Sequence, residues 1–142
     1  MSRIITTREY FGAKIDHPDA AGKFDAAVDL LEQVNKLLLA AHLAGYYPYP
    51  IDPDTGTQLS GSRNGAGDGG FRLSTATTGA AKSAHKLACA IDIYDPNGTL
   101  DAWLTDKILA FYGLYREHPD ATPGWCHLQS LPPRSGKRTF YP

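Results

Sequence analysis

Between residues 20 and 44 apolar side chains recur at three- and four-residue steps. Phe24, Ala27, Val28, Leu31, Val34, Leu38 and Ala41 would line one face of a helix. Asp19 stands where an N-cap is expected and Gly45 where a helix stops, so the spacing predicts a helix over 20–44. His42, in its last turn, suits the negative pole of the helix dipole, in a capping or surface role or as a ligand. At residue 89 the period changes to two. Cys89, Ile91 and Ile93 alternate with Ala90, Asp92 and Tyr94, which predicts a half-buried strand whose outer face carries Asp92. "DPNGT" closes that strand, and Asn97 or Thr99 can cap a second helix over 100–116, with Leu100, Trp103, Leu104, Ile108, Phe111, Tyr112 and Tyr115 as its apolar side. "EHPDATPG" breaks the helix. "WCHLQSL" then alternates again, with Trp125, His127 and Gln129 on one face and Cys126 and Leu128 on the other.

The segments between these elements are rich in breakers. "YYPYPIDPDTG" reads as an irregular crossing or a short edge strand. "SGSRNGAGDGGFRLSTATTGAAKS" is glycine-rich and is expected to carry little core; it is either a surface loop or an active-site loop held by a rigid scaffold. A proline- and base-rich tail, "PPRSGKRTFYP", ends the chain. With no linker long enough to divide it, 1–142 is expected to be one α+β domain. The expected architecture is a small, mostly antiparallel sheet with the two main helices packed on one face.

A net charge of −1 narrows the partners. Without a basic field, nucleic acid or an anionic membrane surface is not expected. No run of about 18 apolar residues appears, and the N-terminus lacks the apolar core of a secretory signal, so membrane insertion is not expected and the chain is expected in the cytoplasm where it is made.

The outer faces of the two predicted strands carry the chemistry. Zinc accepts imidazole nitrogen and carboxylate oxygen at about 2.0–2.2 Å, and a catalytic site uses three protein ligands. His85 from the turn before the first strand, Asp92 on it and His127 on a neighbouring strand would make such a set. A cysteine-containing structural zinc site is the competing arrangement. Strand alternation points Cys89 and Cys126 into the core instead, as reduced, buried thiols.

"SGSR", the glycine-rich loop, "SAHKLACAID" and the "WCH" strand resemble the zinc peptidases of the D-alanyl-D-alanine carboxypeptidase and L-alanyl-D-glutamate endopeptidase type, which share the hedgehog fold. That family carries S-x-H-x-x-G-x-A-x-D followed by a W-x-H-like strand. Ser83, His85, Ala90 and Asp92 match, while Ala88 replaces the glycine. The resemblance spans nearly the whole chain, from "EYFGAKIDHP" to the tail, and looks like a compact bacteriophage form. It implies a hedgehog/DD-peptidase-like fold, Zn2+ on His85, Asp92 and His127, and Arg63 gripping a substrate carboxylate or carbonyl oxygen. It also implies a metallopeptidase that hydrolyses the peptide stems of bacterial peptidoglycan, as an endolysin or as a virion component beside other virion proteins.

One part is missing. A zinc peptidase needs a carboxylate to move the proton of water, and the family places it three residues before the second histidine, where this chain has Gly124. Asp120 is the first candidate to replace it, with Asp68 and Asp95 behind it; each is otherwise a solvated loop residue. The alternative is a metal-binding module that is catalytically weakened and serves a structural or wall-binding role. Gln129 can orient a ligand, bind substrate or simply lie on a strand surface. Trp125 can wall the pocket or pack in the core. His17 and His118, both in "HP" pairs, read as structural.

Overall fold

Thr6 and Glu9 start the first helix, α1 (Thr7–Phe11), by exchanging side-chain-to-backbone bonds in a capping box. This helix was not expected from the apolar pattern. The structure, a computed structural model, describes residues 3–61, 69–76 and 83–142. Arg63 and Asp68 lie outside the described residues.

The long helix α2 runs from Phe24 to Leu43, four residues shorter at its start than the periodicity indicated. Pro18–Ala20 instead forms a separate 3-10 turn, capped by His17 Nδ1, which accepts from the Asp19 backbone N–H at 3.0 Å. Gly22, at φ +77°, then redirects the chain. Asp19 therefore does not cap α2; its carboxylate accepts from the Ser74 backbone N–H at 2.9 Å and from the Ser74 hydroxyl at 2.8 Å. The far end is as expected. Gly45 (φ +87°) lets its own N–H reach the His42 carbonyl and the Tyr46 N–H reach the Ala41 carbonyl, a Schellman closure. His42 joins this closure, its Nδ1 lying 2.7 Å from the Tyr47 carbonyl. Ala27, Leu30, Leu31, Val34, Leu37, Leu38 and Ala41 form the buried face, whereas Phe24 and Val28 sit at its margin, 40% and 49% exposed.

The apolar run over 100–116 is not one helix. It divides into α3 (Thr99–Trp103), α4 (Asp106–Phe111) and a strand, β2 (Tyr115–Glu117). Leu104 is extended (ψ 135°), and Thr105 restarts the helix by accepting from the Ile108 N–H. Arg116 makes the break tolerable: its guanidinium donates to the carbonyls of Asp101 (2.8 Å) and Leu104 (3.3 Å), which α3 leaves unpaired at its end. Neither Asn97 nor Thr99 caps α3; its first N–H groups go to the Asp95 carboxylate, at Leu100 and Asp101.

Three further strands, β1 (Ala90–Tyr94), β3 (Trp125–Gln129) and β4 (Thr139–Phe140), complete a four-stranded sheet in the order β1-β3-β2-β4. β3 pairs antiparallel with both β1 and β2, while β4 lies parallel to β2, so the sheet is mixed. Among the described residues the fold is thus four helices and a small four-stranded mixed sheet. Ile91, Ile93, Cys126 and Leu128 turn one sheet face into the same core as the buried face of α2. Asp92, His127 and Gln129 occupy the other face. Cys89 precedes β1 and is only partly buried, so its expected place in the core is corrected; Cys126 is fully buried.

The described part of the glycine-rich segment also departs from expectation. Phe71 is 1% exposed and belongs to the core. Gly69 and Gly70 pass so close to other backbone that a Cβ would collide with the carbonyls of Ser60 and Tyr10 respectively. Among the described residues no helix is long and apolar enough to cross a membrane.

Candidate metal centre

Asp92 and His127 are direct cross-strand partners in the β1–β3 register. The Asp92 backbone faces away from β3, with its N–H donating to the Gly69 carbonyl (2.7 Å) and its carbonyl accepting from the Ser60 N–H (2.9 Å). Asp92 and His127 are therefore a non-hydrogen-bonded antiparallel pair, the kind in which Cα atoms come within about 4.5 Å and side chains are closest. Strand geometry alone brings the carboxylate against the imidazole: His127 Nδ1 lies 2.9 Å from Asp92 Oδ1.

His85 arrives from a 3-10 turn, Ala84–Leu87, whose start is capped by the Ser83 hydroxyl accepting from the His85 N–H. The turn ends at Ala88 in the left-handed region, φ +58°, and so delivers the chain into β1. Besides the Gly69 carbonyl on the Asp92 N–H, three further bonds from the Gly69–Arg72 stretch brace the two residues. The Gly70 carbonyl lies 2.9 Å from His85 Nδ1, the Arg72 N–H donates to the His85 carbonyl, and the Arg72 guanidinium donates to Asp92 Oδ2 at 3.3 Å. Because a carbonyl only accepts, Nδ1 of His85 carries a hydrogen, and Nε2 is the nitrogen left to face the triangle. That Nε2 is buried, 3.3 Å from Asp92 Oδ1, and makes no hydrogen bond. Gly70→Ala should displace this brace, since the obstructing atoms are backbone. The expected result is a loss of about 1–3 kcal/mol of stability by chemical denaturation, with weakened metal binding by calorimetry.

His127 is held from its other side by Gln129, whose Oε1 lies 2.7 Å from Nε2. A carboxylate absent from the expected set also reaches the cluster: Glu117 Oε1 is 3.8 Å from His127 Nδ1. The β2–β3 register explains this. Tyr115 pairs with Gln129 and Arg116 with Leu128, so one further step brings Glu117 level with His127 on the same face.

Burial by itself would raise the carboxyl of Asp92, but the charge of His85 and the hydrogen bond from His127 outweigh it and hold the group well below the usual carboxylate range. Burial likewise favours neutral His127, yet its hydrogen bond to Asp92, the Asp92 charge and then Glu117 push it above the ordinary imidazole value. The two carboxylates, Asp92 and Glu117, thus favour positive charge at His127.

One ligand atom each from His85, Asp92 and His127 lies within 4.8 Å of the others, and all three residues are buried. Ligands about 2.0–2.2 Å from one tetrahedral ion stand roughly 3.4 Å apart. The observed separations of 2.9 and 3.3 Å lie just below that value. Two imidazoles and a carboxylate, with one nitrogen unsatisfied, form a donor set that can hold a divalent metal ion; imidazole and carboxylate together suit several first-row ions.

Of the other expected site residues, Asp120 lies in a 3-10 turn, Pro119–Ala121; its side chain is 79% exposed and its carboxylate is 3.5 Å from His118. The tetrapeptide "HPDA" occurs twice, at 17–20 and 118–121, and folds the same way each time, with the histidine Nδ1 accepting from the aspartate N–H. Asp95 is committed to the start of α3. Trp125 shares the metal face and is half-buried. Glu117 and Arg72 were missed, although the alternation of Tyr115, Arg116 and Glu117 would have revealed the first. Comparison with known protein families, with curated proteins and with solved structures finds no match to this chain.

Proposed function

We propose that this chain is a zinc-dependent peptidase acting on the peptide stems of bacterial peptidoglycan, as the resemblance to the carboxypeptidase and endopeptidase family implies. The observation that carries the proposal is the buried triangle of His85, Asp92 and His127 with its unspent His85 Nε2. Ala88 adds support, because the position that is glycine in the family pattern has the left-handed backbone that glycine favours, φ +58°.

His85, Asp92 and His127 would hold the zinc ion, which would supply Lewis acidity towards the scissile carbonyl and towards water, whose pKa it would lower to ~7. Glu117 accepts the proton of the attacking water and passes it to the leaving amine. We prefer it to Asp120, which is exposed and engaged by His118, whereas Glu117 stands beside His127. Arg72 fixes Asp92 by one oxygen so that the other faces the histidines. Arg63 is assigned, by resemblance alone, to grip a stem carboxylate with its forked donors. The setting proposed is phage lysis or entry, with the protein made in the host cytoplasm and delivered to the wall or carried in the virion.

Metal-free protein titrated with zinc, and then incubated with purified peptidoglycan, tests this reading. Stoichiometric zinc and new amino or carboxyl termini by mass spectrometry, both lost in His127→Ala, are the expected outcome. Absence of zinc binding defeats the reading. Tight binding without products selects the second reading, a metal-binding wall or virion module, which Gly124 at the usual base position favours.

A further inference from the structure

His85 and His127 reach the triangle through opposite nitrogens. His85 offers Nε2 because its Nδ1 is spent on the Gly70 carbonyl. His127 faces Asp92 with Nδ1, and its Nε2 lies against Gln129 Oε1 at 2.7 Å. Which end of the Gln129 amide meets the imidazole is decided one step further out, because Gln129 Nε2 donates to the Leu131 carbonyl at 2.6 Å. A backbone carbonyl has no hydrogen to give, so the amide NH2 must point to Leu131 and the amide oxygen to His127. That oxygen in turn requires a hydrogen on His127 Nε2; without an ion Nδ1 also carries one, donated to Asp92 Oδ1, and an ion in the triangle would take the place of the Nδ1 hydrogen while Gln129 keeps the other. Both side chains are buried, so water does not compete for these bonds.

We infer that Gln129 is a positioning residue: through the relay Leu131 carbonyl–Gln129 amide–His127 imidazole, it selects Nδ1 of His127 as the metal-facing nitrogen. The inference rests on the reading that the triangle holds a metal. Strand geometry makes the device possible, since residues two apart lie on one face and Gln129 is the nearest same-face neighbour of His127 along β3. The two histidines thus have different supports. The tautomer of His85 is set by a backbone carbonyl, whereas that of His127 depends on a single replaceable side-chain amide.

Imidazole-15N-labelled protein titrated with zinc alone, followed by NMR, reads the nitrogens directly. In the wild type, His127 is expected to be protonated at Nε2 with zinc perturbing Nδ1, and His85 to show the reverse. Gln129→Leu should weaken zinc binding about 10–100-fold and abolish the fixed Nε2–H of His127, and Gln129→Glu, which keeps an acceptor, should restore both. Zinc-loaded wild type with the His127 hydrogen on Nδ1 overturns the inference, as does a folded Gln129→Leu protein that binds zinc as tightly as wild type with unchanged imidazole shifts. If Gln129→Leu does not fold, the wild-type and Gln129→Glu spectra decide by themselves. Zinc that perturbs no imidazole defeats the metal reading separately; the relay is then judged on the metal-free protein, where an Nε2–H of His127 that is lost in Gln129→Leu supports it and the absence of an Nε2–H in the wild type overturns it.

Discussion

Glu117→Gln should bind zinc as the wild type does and lose peptidoglycan cleavage by about 10²–10⁴-fold, the usual worth of a positioned general base. The substitution keeps the size of the side chain and removes only its capacity to take a proton. Glu117 approaches His127 Nδ1 at 3.8 Å but is not one of the three residues whose ligand atoms gather within 4.8 Å, so its loss should spare the ion. Calorimetry with zinc and a cleavage assay on the same preparation separate the two effects. A fall in affinity would make Glu117 a fourth ligand, and unchanged cleavage would remove it from the chemistry. Asp120→Asn is the control, expected to cleave as wild type because that carboxylate is solvated and paired with His118. Placing a carboxylate at residue 124 is not an alternative route to activity: Gly124 sits at φ +92°, a backbone that side chains strain to adopt. The carboxylate beside the metal face comes from β2 instead.

The parts of this site that could be read in the sequence are those that a single period determines. Alternation through Ile91, Asp92 and Ile93 and through Cys126, His127 and Leu128 put Asp92 and His127 on outer strand faces, and pairing β1 with β3 made them neighbours. The three-and-four spacing of α2 gave its body, but not its start, because the turn at Pro18–Ala20 is governed by His17 capping and Gly22 rather than by hydrophobic periodicity. Leu100 to Tyr115 carries a helical pattern that the chain interrupts at Leu104 for tertiary reasons, chiefly the buried Arg116 that reaches back to Asp101 and Leu104. Reading that run as one helix hid Glu117, the strand residue beside His127. Gly69–Arg72 was hidden differently. Its glycines signal a loop by composition, yet here they permit close approach to Tyr10 and Ser60, and that approach carries the braces for His85 and Asp92. Close backbone contacts between distant segments leave no periodic trace, whereas the capping box of α1 was available in Thr6 and Glu9 and went unused.

Asp92→Asn should remove zinc binding and also destabilise the metal-free protein, and the second effect distinguishes a charge-organising residue from a mere ligand. In the metal-free protein this carboxylate meets His127 Nδ1 at 2.9 Å, His85 Nε2 at 3.3 Å and the Arg72 guanidinium at 3.3 Å, all buried. Loss of its charge lets His127 shed a proton and become neutral, a partial relief. Arg72 has no such option: its guanidinium stays protonated and loses the charge-assisted bond to Asp92 Oδ2. Losing charge-assisted buried hydrogen bonds costs about 1.5–3 kcal/mol, which for a chain of 142 residues lowers the melting temperature by roughly 5–10 °C. Wild-type protein at a free zinc concentration about 100 times Kd should gain about 2.7 kcal/mol, and the variant should gain nothing. Thermal melts with and without zinc measure both quantities. A variant that melts with the wild type in the absence of zinc would show that Asp92 does not organise the buried charges, and one that still rises with zinc would show that the ion is held elsewhere.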